Sequence, residues 1–101
     1  MPAYFVAQVK VTDAEAFRDY ERGFFPTLKP YGGKMLIADN APLSLEGEWP
    51  EGRTVVIEFE STEQAKQWYD SAAYQGISEV RRAHSESAMV VLKGFELPKR
   101  D

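Results

Sequence analysis

The feature that most constrains the fold is the order of hydrophobic periodicities along the chain. Residues 3–11 alternate, with apolar side chains at the odd positions, and residues 54–60 alternate in the same way. A period of two predicts strands, whereas apolar residues spaced at three and four predict helices. The predicted order is strand, helix, strand, strand, helix, strand, with strands at 3–11, 34–38, 54–60 and 87–95. The second helix is predicted in two pieces, the later one at 73–84.

Capping signals mark the beginning of the first helix and of the first piece of the second. Thr12 is followed three residues later by Glu15, and Ser61 by Gln64. A hydroxyl at the cap and an acidic or amide side chain three residues on can satisfy the first free amides of a helix. Pro26 interrupts the apolar pattern of the first helix and predicts a kink or a break there.

This order is the split βαβ pattern. It predicts an α+β protein with the ferredoxin-like βαββαβ fold, in which a four-stranded antiparallel sheet carries its helices on one face. A chain of 101 residues is the size of one domain. We expect a single domain over 1–101, with an ordered core at about 3–95 and a frayed polar tail at 96–101.

The strand faces predict a homodimer. Helices on one side leave the other face of the sheet uncovered, yet that face carries Tyr4, Val6 and Val56, and residues 88–92 are apolar on both faces. An apolar sheet face of this sort commonly marks an association surface. The simplest solution is a two-fold dimer, a dimeric α+β barrel, in which the open faces meet and their polar residues line a cavity.

Composition excludes several classes of function. Twelve basic and sixteen acidic residues give a formal charge of −4, which argues against nucleic-acid binding. The chain has no cysteine, so disulfides, thiolate nucleophiles and cysteine-bound metals are excluded. The longest apolar run, 88–92, is far shorter than the ~20 residues of a membrane span, and no signal peptide is visible. We predict a cytoplasmic protein without nucleic-acid or membrane partners.

Several short strings occur in an order and spacing that resemble one family. They are Tyr31-Gly32-Gly33, Leu45-Glu46-Gly47 followed by Trp49, Val56-Ile57-Glu58-Phe59, Ala65-x-x-Trp68-Tyr69-x-Ser71-x-x-Tyr74-Gln75, Arg81, and Val91-Leu92-x-Gly94. Together they resemble domain-of-unknown-function family 1330 of the dimeric α+β barrel group. The resemblance implies the same fold and dimer and no particular reaction. Other dimeric α+β barrels include cofactor-independent monooxygenases and haem-dependent enzymes, but fold alone does not define function.

One position departs from the family pattern. Ala72 follows Ser71 where the family often has proline. The departure concerns only the local turn between the two pieces of the second helix.

Arg81 is the first candidate for ligand binding. It lies seven residues after Tyr74, which places the two side chains on a shared side of the helix. A guanidinium group in a cavity would bind a carboxylate or phosphate in bidentate fashion. The alternative is an ion pair with Glu46 or Glu58 that ties helix to sheet.

Two carboxylates are candidates for a general base. Glu58 lies on the face without helices, so a dimer would bury it and could raise its pKa. Its alternative is an interfacial salt bridge with Lys10 or Arg81. Glu46 could reach the same space from the irregular segment 43–50, and its alternative is a hydrogen bond that stabilises a turn.

The remaining candidates are aromatic residues and the one histidine. Tyr20, Trp49 and Tyr74 could clamp a planar ligand, or simply pack in the core or an interface. His84 could carry a proton or bind haem, but packing as a cation at a helix terminus is the favoured explanation. One histidine without a nearby carboxylate motif predicts no protein-only metal site, and no cofactor is predicted.

Three functions remain open at this point. The first is a homodimer that binds or transforms a small anionic or aromatic metabolite in a cavity between sheet and helices. The second is a non-catalytic homodimeric binding or interaction module. The third is haem binding through His84.

Overall fold

The elements follow one another in the predicted order in a computed structural model that describes residues 2–95. They are β1 (Ala3–Val11), α1 (Ala14–Leu28), a 3-10 turn (Lys29–Tyr31), β2 (Lys34–Asp39), β3 (Arg53–Phe59), α2 (Thr62–Asp70), α3 (Ala72–His84) and β4 (Ser85–Lys93). The strands form one antiparallel sheet in the order β2-β3-β1-β4. The predicted ferredoxin-like α+β fold is therefore confirmed. The predicted polar tail at 96–101 lies outside the described residues.

The helices begin at side-chain caps, one of them a residue later than predicted. The prediction of Thr12 as the cap of α1 is wrong, since the Asp13 carboxylate accepts the amide of Ala16 at 3.1 Å. Thr12 instead donates its backbone amide to the carbonyl oxygen of His84 at 2.9 Å. The predicted cap of α2 is confirmed, because Ser61 Oγ accepts the backbone amide of Gln64.

Proline does not break α1. The helix continues through Pro26 to Leu28, whereas a kink or break was predicted there. Pro26 lies near the end of the helix on its exposed side, so the ring faces solvent. The carbonyl that loses its amide partner, that of Arg22, also belongs to an exposed residue and can be hydrated.

The core lies between the sheet and the three helices and is largely aromatic. Trp68 of α2 is 0 % exposed, and its ring centroid lies 4.3 Å from that of Tyr74 and 5.0 Å from that of Phe5. Its indole N–H donates to Thr27 Oγ1 at 3.0 Å, so burial leaves no unpaired donor. Each large apolar side chain buried in this way stabilises the fold by about 1.5–3 kcal/mol.

Ser71 joins α2 to α3 and sets the direction of α3. Its hydroxyl donates to the carbonyl of Trp68 at 2.7 Å and accepts the amide of Tyr74 at 3.2 Å. Ala72 is the first residue of α3, a position that also accommodates proline, so the departure from the family pattern does not alter the turn. The joint directs Tyr74 and Arg81 into the protein interior, where both are buried.

The sheet face opposite the helices, hereafter the open face, is uncovered in residues 2–95. It is formed by Tyr4, Val6, Gln8, Lys10, Thr54, Val56, Glu58, Glu86, Ala88, Val90 and Leu92, which pair across β1, β3 and β4. Val90 and Leu92 are 53 % and 52 % exposed. The longest helix, α1, has 15 residues, and no described helix has the length and apolar character needed to cross a bilayer.

Candidate functional site

A cavity of about 190 Å³ lies between α1 and the helix-facing side of the sheet. Its walls are almost entirely apolar. They are formed by Phe5, Ala7, Val9, Val11, Phe17, Tyr20, Phe24, Phe25, Met35, Ala38, Val55 and Met89, with Glu21 and Arg53 as the charged members. Alternation along β1 produces this wall, because every odd residue from Phe5 to Val11 points toward α1.

The cavity opens to solvent where its lining residues are most exposed, near Phe25 and Ala38. At this mouth Arg53 donates to the Glu21 carboxylate at 3.2 Å and to Asn40 Oδ1 at 2.9 Å. The guanidinium group therefore ties the start of β3 to α1 and to the residue after β2. A pair this exposed contributes little to stability, and both of its members line the cavity.

A buried chain of hydrogen bonds leads away from the cavity wall. Tyr20 lines the cavity, and its hydroxyl lies 2.8 Å from the hydroxyl of Tyr74. Arg81 Nε donates to the same Tyr74 hydroxyl at 3.2 Å, and its NH1 donates to Ser87 Oγ at 2.6 Å. Because arginine can only donate, Tyr74 keeps its own proton available for Tyr20. We call Tyr20, Tyr74 and Arg81 the tyrosine–arginine chain.

Tyr20 is held in its neutral form. Burial raises the pKa of Tyr20 far above its ordinary value, and the neighbouring Tyr74 raises it further, while Arg81 opposes the shift. Loss of solvation disfavours the phenolate more than a single guanidinium, reached through Tyr74, can offset. The Tyr20 ring in the cavity wall is therefore uncharged and suited to stacking rather than to ionic contact.

A second, polar depression lies at the Arg81 end of the tyrosine–arginine chain. We call it the arginine depression, and it is lined by Tyr69, Arg81, Arg82, Ser85, Ser87 and Met89. Hydrogen bonding from Arg82 lowers the pKa of the Tyr69 hydroxyl; burial opposes this, and the charges of Arg81 and Arg82 add to it. Met89 lines both the cavity and the arginine depression.

The structure brings together three of the predicted site residues, Tyr20, Tyr74 and Arg81. In residues 2–95, neither Glu46 nor Glu58 forms the ion pair with Arg81 that was the alternative to ligand binding. Hydroxyl groups take those positions around the guanidinium instead.

The other predicted residues lie elsewhere. Glu58 is on the open face, where it accepts the hydroxyl of Tyr4 at 3.3 Å, and Lys10 pairs with Glu51 rather than with Glu58. Glu46 and Trp49 are exposed in the connection between β2 and β3, which has no regular structure.

His84 ends α3, is half-buried and lines neither depression. Within residues 2–95, no group of three or more histidine, aspartate and glutamate side chains is arranged to hold a metal ion.

Sequence reasoning missed Glu21, Arg53 and Ser87. The contact between Glu21 and Arg53 joins residues 32 positions apart, so no local pattern signals it. Ser87 lies on the helix-facing side of β4, opposite Val9, and alternation could have placed it there. Its contact with Arg81 depends on the path of α3, which only the tertiary structure provides.

These features define a ferredoxin-like α+β protein with an apolar cavity under its first helix. The chain belongs to the family described as domain of unknown function (DUF1330), whose model matches residues 2–95. No curated protein matches the sequence.

Solved structures share the fold. A protein of unknown function from Rhodopseudomonas palustris, RPA0582, is 21 % identical with a TM-score of 0.78, over 95 % of this chain and 84 % of that one. SnoaB from Streptomyces nogalater, described as a cofactor-independent oxygenase, is 14 % identical with a TM-score of 0.59, over 95 % of each chain.

A protein of unknown function from Bacteroides fragilis, described as dimeric and ferredoxin-like, is 9 % identical with a TM-score of 0.63, over 92 % and 96 % of the two chains. Identities this low support the fold alone.

Proposed function

We propose that the chain is a homodimeric protein that binds a small, mostly apolar molecule bearing one ring in the cavity under α1. The observation that carries this proposal is the cavity itself, which is about 190 Å³ in volume and walled by aliphatic and aromatic side chains. Concave, apolar and largely preformed spaces with a few polar groups are typical of small-molecule sites.

Size and wall chemistry restrict the ligand. Cavities of roughly 150 Å³ lined by apolar side chains stay dry and bind benzene, while sites for drug-sized ligands occupy about 300–1,000 Å³. A space of about 190 Å³ therefore suits a single ring with a short substituent. Phe17, Tyr20 and Phe24 offer aromatic surfaces for stacking.

The homodimer is part of the same proposal. Val6, Val90 and Leu92 form a contiguous apolar strip on the open face, since Val6 pairs with Val90 and Tyr4 with Leu92. A second copy facing this strip would bury it on both chains with two-fold symmetry. The dimeric Bacteroides fragilis protein of similar fold is consistent with such an arrangement.

Binding is favoured over catalysis by the charged groups around the cavity. Among residues 2–95, Glu21 is the one carboxylate that lines it, and Arg53 already occupies that carboxylate. Glu46, Glu58 and His84, the candidate proton carriers, lie outside the lining. Haem binding through His84 has no support from the cavity, because His84 does not reach it. The oxygenase SnoaB shares the fold, so oxygen uptake with each bound compound is the assay for a reaction.

The ligand proposal is tested by thermal shift with a panel of single-ring compounds such as phenol, toluene and benzoate. A ligand that binds the folded state alone raises the melting temperature with its concentration. Ala7→Leu fills the cavity from β1 and should abolish the shift while the protein stays folded. Ala83→Leu, the same change at an exposed position of α3, should leave the shift intact.

A second, smaller substitution at Ala7 completes this test. Ala7→Val, which adds less bulk, covers the case in which leucine disturbs the fold, and it should weaken the shift. Equal shifts in wild type and both Ala7 variants would place the ligand elsewhere and overturn the cavity proposal.

The dimer proposal is tested by light scattering after size-exclusion chromatography. Wild type should elute with the mass of two chains at micromolar concentration. Val90→Lys, which places a charge in the apolar strip, should give a folded monomer, whereas Ala83→Lys on the helix side should stay dimeric. A monomeric wild-type protein would refute the homodimer without bearing on the cavity.

A further inference from the structure

The arginine depression differs in character from the cavity under α1. Among residues 2–95, its lining comprises two guanidinium groups, three hydroxyl groups and one methionine, and no carboxylate. We propose that this depression is a binding site for a small oxyanion, the carboxylate or phosphate group of a metabolite. The site is separate from the ring-binding cavity, and the proposal stands independently of that function.

The proposal is supported first by the buried charge of Arg81. Arg81 is 5 % exposed, yet no Asp or Glu oxygen of residues 2–95 lies within 4.0 Å of its guanidinium nitrogens. Buried charges are normally paired, because removal from water is costly without a counter-ion. The two hydrogen-bond partners of the Arg81 guanidinium group are the neutral hydroxyls of Tyr74 and Ser87. These hydroxyls accept hydrogen bonds from the guanidinium group but do not neutralise its positive charge.

The donors around Arg81 fit an anion. Nε and NH1 each make one bond within the protein, and a guanidinium group has five N–H donors, so further donors remain for a ligand. Ser87 Oγ accepts from Arg81 and keeps its own proton to donate. Arg82, anchored on Gln75 Oε1 at 2.9 Å, adds a second positive charge to the same lining. Convergent guanidinium and hydroxyl donors are the groups that recognise carboxylate and phosphate oxygens.

The location of Arg81 at the end of α3 explains its positive charge but not the direction of its guanidinium group. Arg81, Arg82 and His84 occupy its last turn, where cations interact favourably with the helix dipole. A cation held only by the dipole would direct its donors at the last carbonyls of the helix. Arg81 instead directs them at Tyr74 and Ser87, so the guanidinium is oriented across the depression.

The test is a titration of the ¹⁵N-labelled full chain with inorganic phosphate and, separately, with acetate, at constant ionic strength set by chloride. Saturable shifts should appear at the amides of Tyr69, Arg82, Ser85 and Ser87, with a dissociation constant on the order of 1 mM. Saturation by phosphate alone identifies a phosphate group as the ligand, and saturation by acetate alone identifies a carboxylate. Saturation by both assigns general oxyanion recognition.

Substitutions separate specific binding from general charge. Arg82→Gln and Ser87→Ala should each weaken binding, Arg82→Gln by roughly tenfold, as expected for one charge-assisted hydrogen bond. Arg22→Gln on α1 removes the same charge from an exposed residue outside the depression and should leave affinity unchanged. Shifts that do not saturate, or equal weakening by Arg22→Gln and Arg82→Gln, would overturn the proposal. Neither variant removes Arg81, so the core contacts of Arg81 with Tyr74 remain in place.

Discussion

The hydroxyl oxygens of Tyr20 and Tyr74 lie 2.8 Å apart on side chains contributed by different helices, and both residues are buried. Through Tyr74 this contact continues to Arg81, so one unbroken chain runs from the wall of the apolar cavity to the arginine depression. A polar chain inside an aromatic core is stabilising only while each member keeps its partners.

Tyr74→Phe should lower the free energy of unfolding by about 1–3 kcal/mol, because it removes the central hydroxyl and leaves the Tyr20 hydroxyl and Arg81 Nε without a partner. Urea denaturation measures the loss. Tyr31→Phe is the matched control, since Tyr31 is half-buried in the 3-10 turn and its change should cost less than about 0.5 kcal/mol. Equal losses of unfolding free energy in the two variants would show that the Tyr74 hydroxyl in the tyrosine–arginine chain stabilises the fold no more than the Tyr31 hydroxyl does.

Alkaline stability should depend on Tyr20. Burial raises the pKa of Tyr20 in the folded protein, whereas the unfolded chain releases this proton near pH 10. Above about pH 10 the folded state therefore keeps a proton that the unfolded state has lost. The contribution of Tyr20 to the free energy of unfolding is thus fully present below about pH 10 and is lost as the pH rises further. Urea unfolding at pH steps from about 9 to 11 should show a shallower decline for Tyr20→Phe than for wild type. Identical slopes would contradict the assignment.

Arg53→Gln should open the mouth of the cavity. The exposed pair with Glu21 contributes less than about 1 kcal/mol to stability, so the variant should stay folded. If the cavity binds a ring compound, its association rate should increase when this contact is lost, as measured by stopped-flow fluorescence. Lys66→Gln, which breaks an exposed pair on α2, is the control and should leave the rate unchanged. A slower or unaltered rate in Arg53→Gln would contradict the role of Arg53 at the mouth.

Two glycines should respond to alanine in opposite directions. A Cβ at Gly33 would lie 2.7 Å from Leu28 Cδ2 and 2.9 Å from Phe59 Cε1, so Gly33→Ala should cost about 1–3 kcal/mol through overpacking. Gly76 lies in α3 with open space around its Cβ position, and Gly76→Ala should stabilise the helix by about 0.5–1 kcal/mol. Thermal unfolding of the two variants checks the signs, and destabilisation by both would refute this packing account.

The regular elements could be predicted from local patterns. The bounds of β1 coincide with the alternating segment 3–11, because alternation extends over the whole strand and one face is buried. The cap of α1 was misplaced because Thr12 and Asp13 both have capping side chains, and the competition is decided by the contact of Thr12 with the end of α3. Local chemistry alone could not resolve that choice.

The site was predictable only along one helix. Tyr74 and Arg81 are seven residues apart, so helical geometry places them on one side, as predicted. Tyr20 is predicted from the sequence only as a possible clamp for a planar ligand, because its contact with Tyr74 spans 54 residues and depends on how α1 packs on α3. The cavity is a space between elements and has no sequence signal.

The most direct test of the central claim is a measurement of intermolecular nuclear Overhauser effects between a saturating single-ring ligand and the methyl groups of the protein. If the ligand occupies the space under α1, contacts should appear to Ala7, Val9, Val55 and Met89. Contacts confined to the exposed Leu43, Leu45 or Val90 would contradict the claim, because these side chains lie on the surface and do not line the cavity.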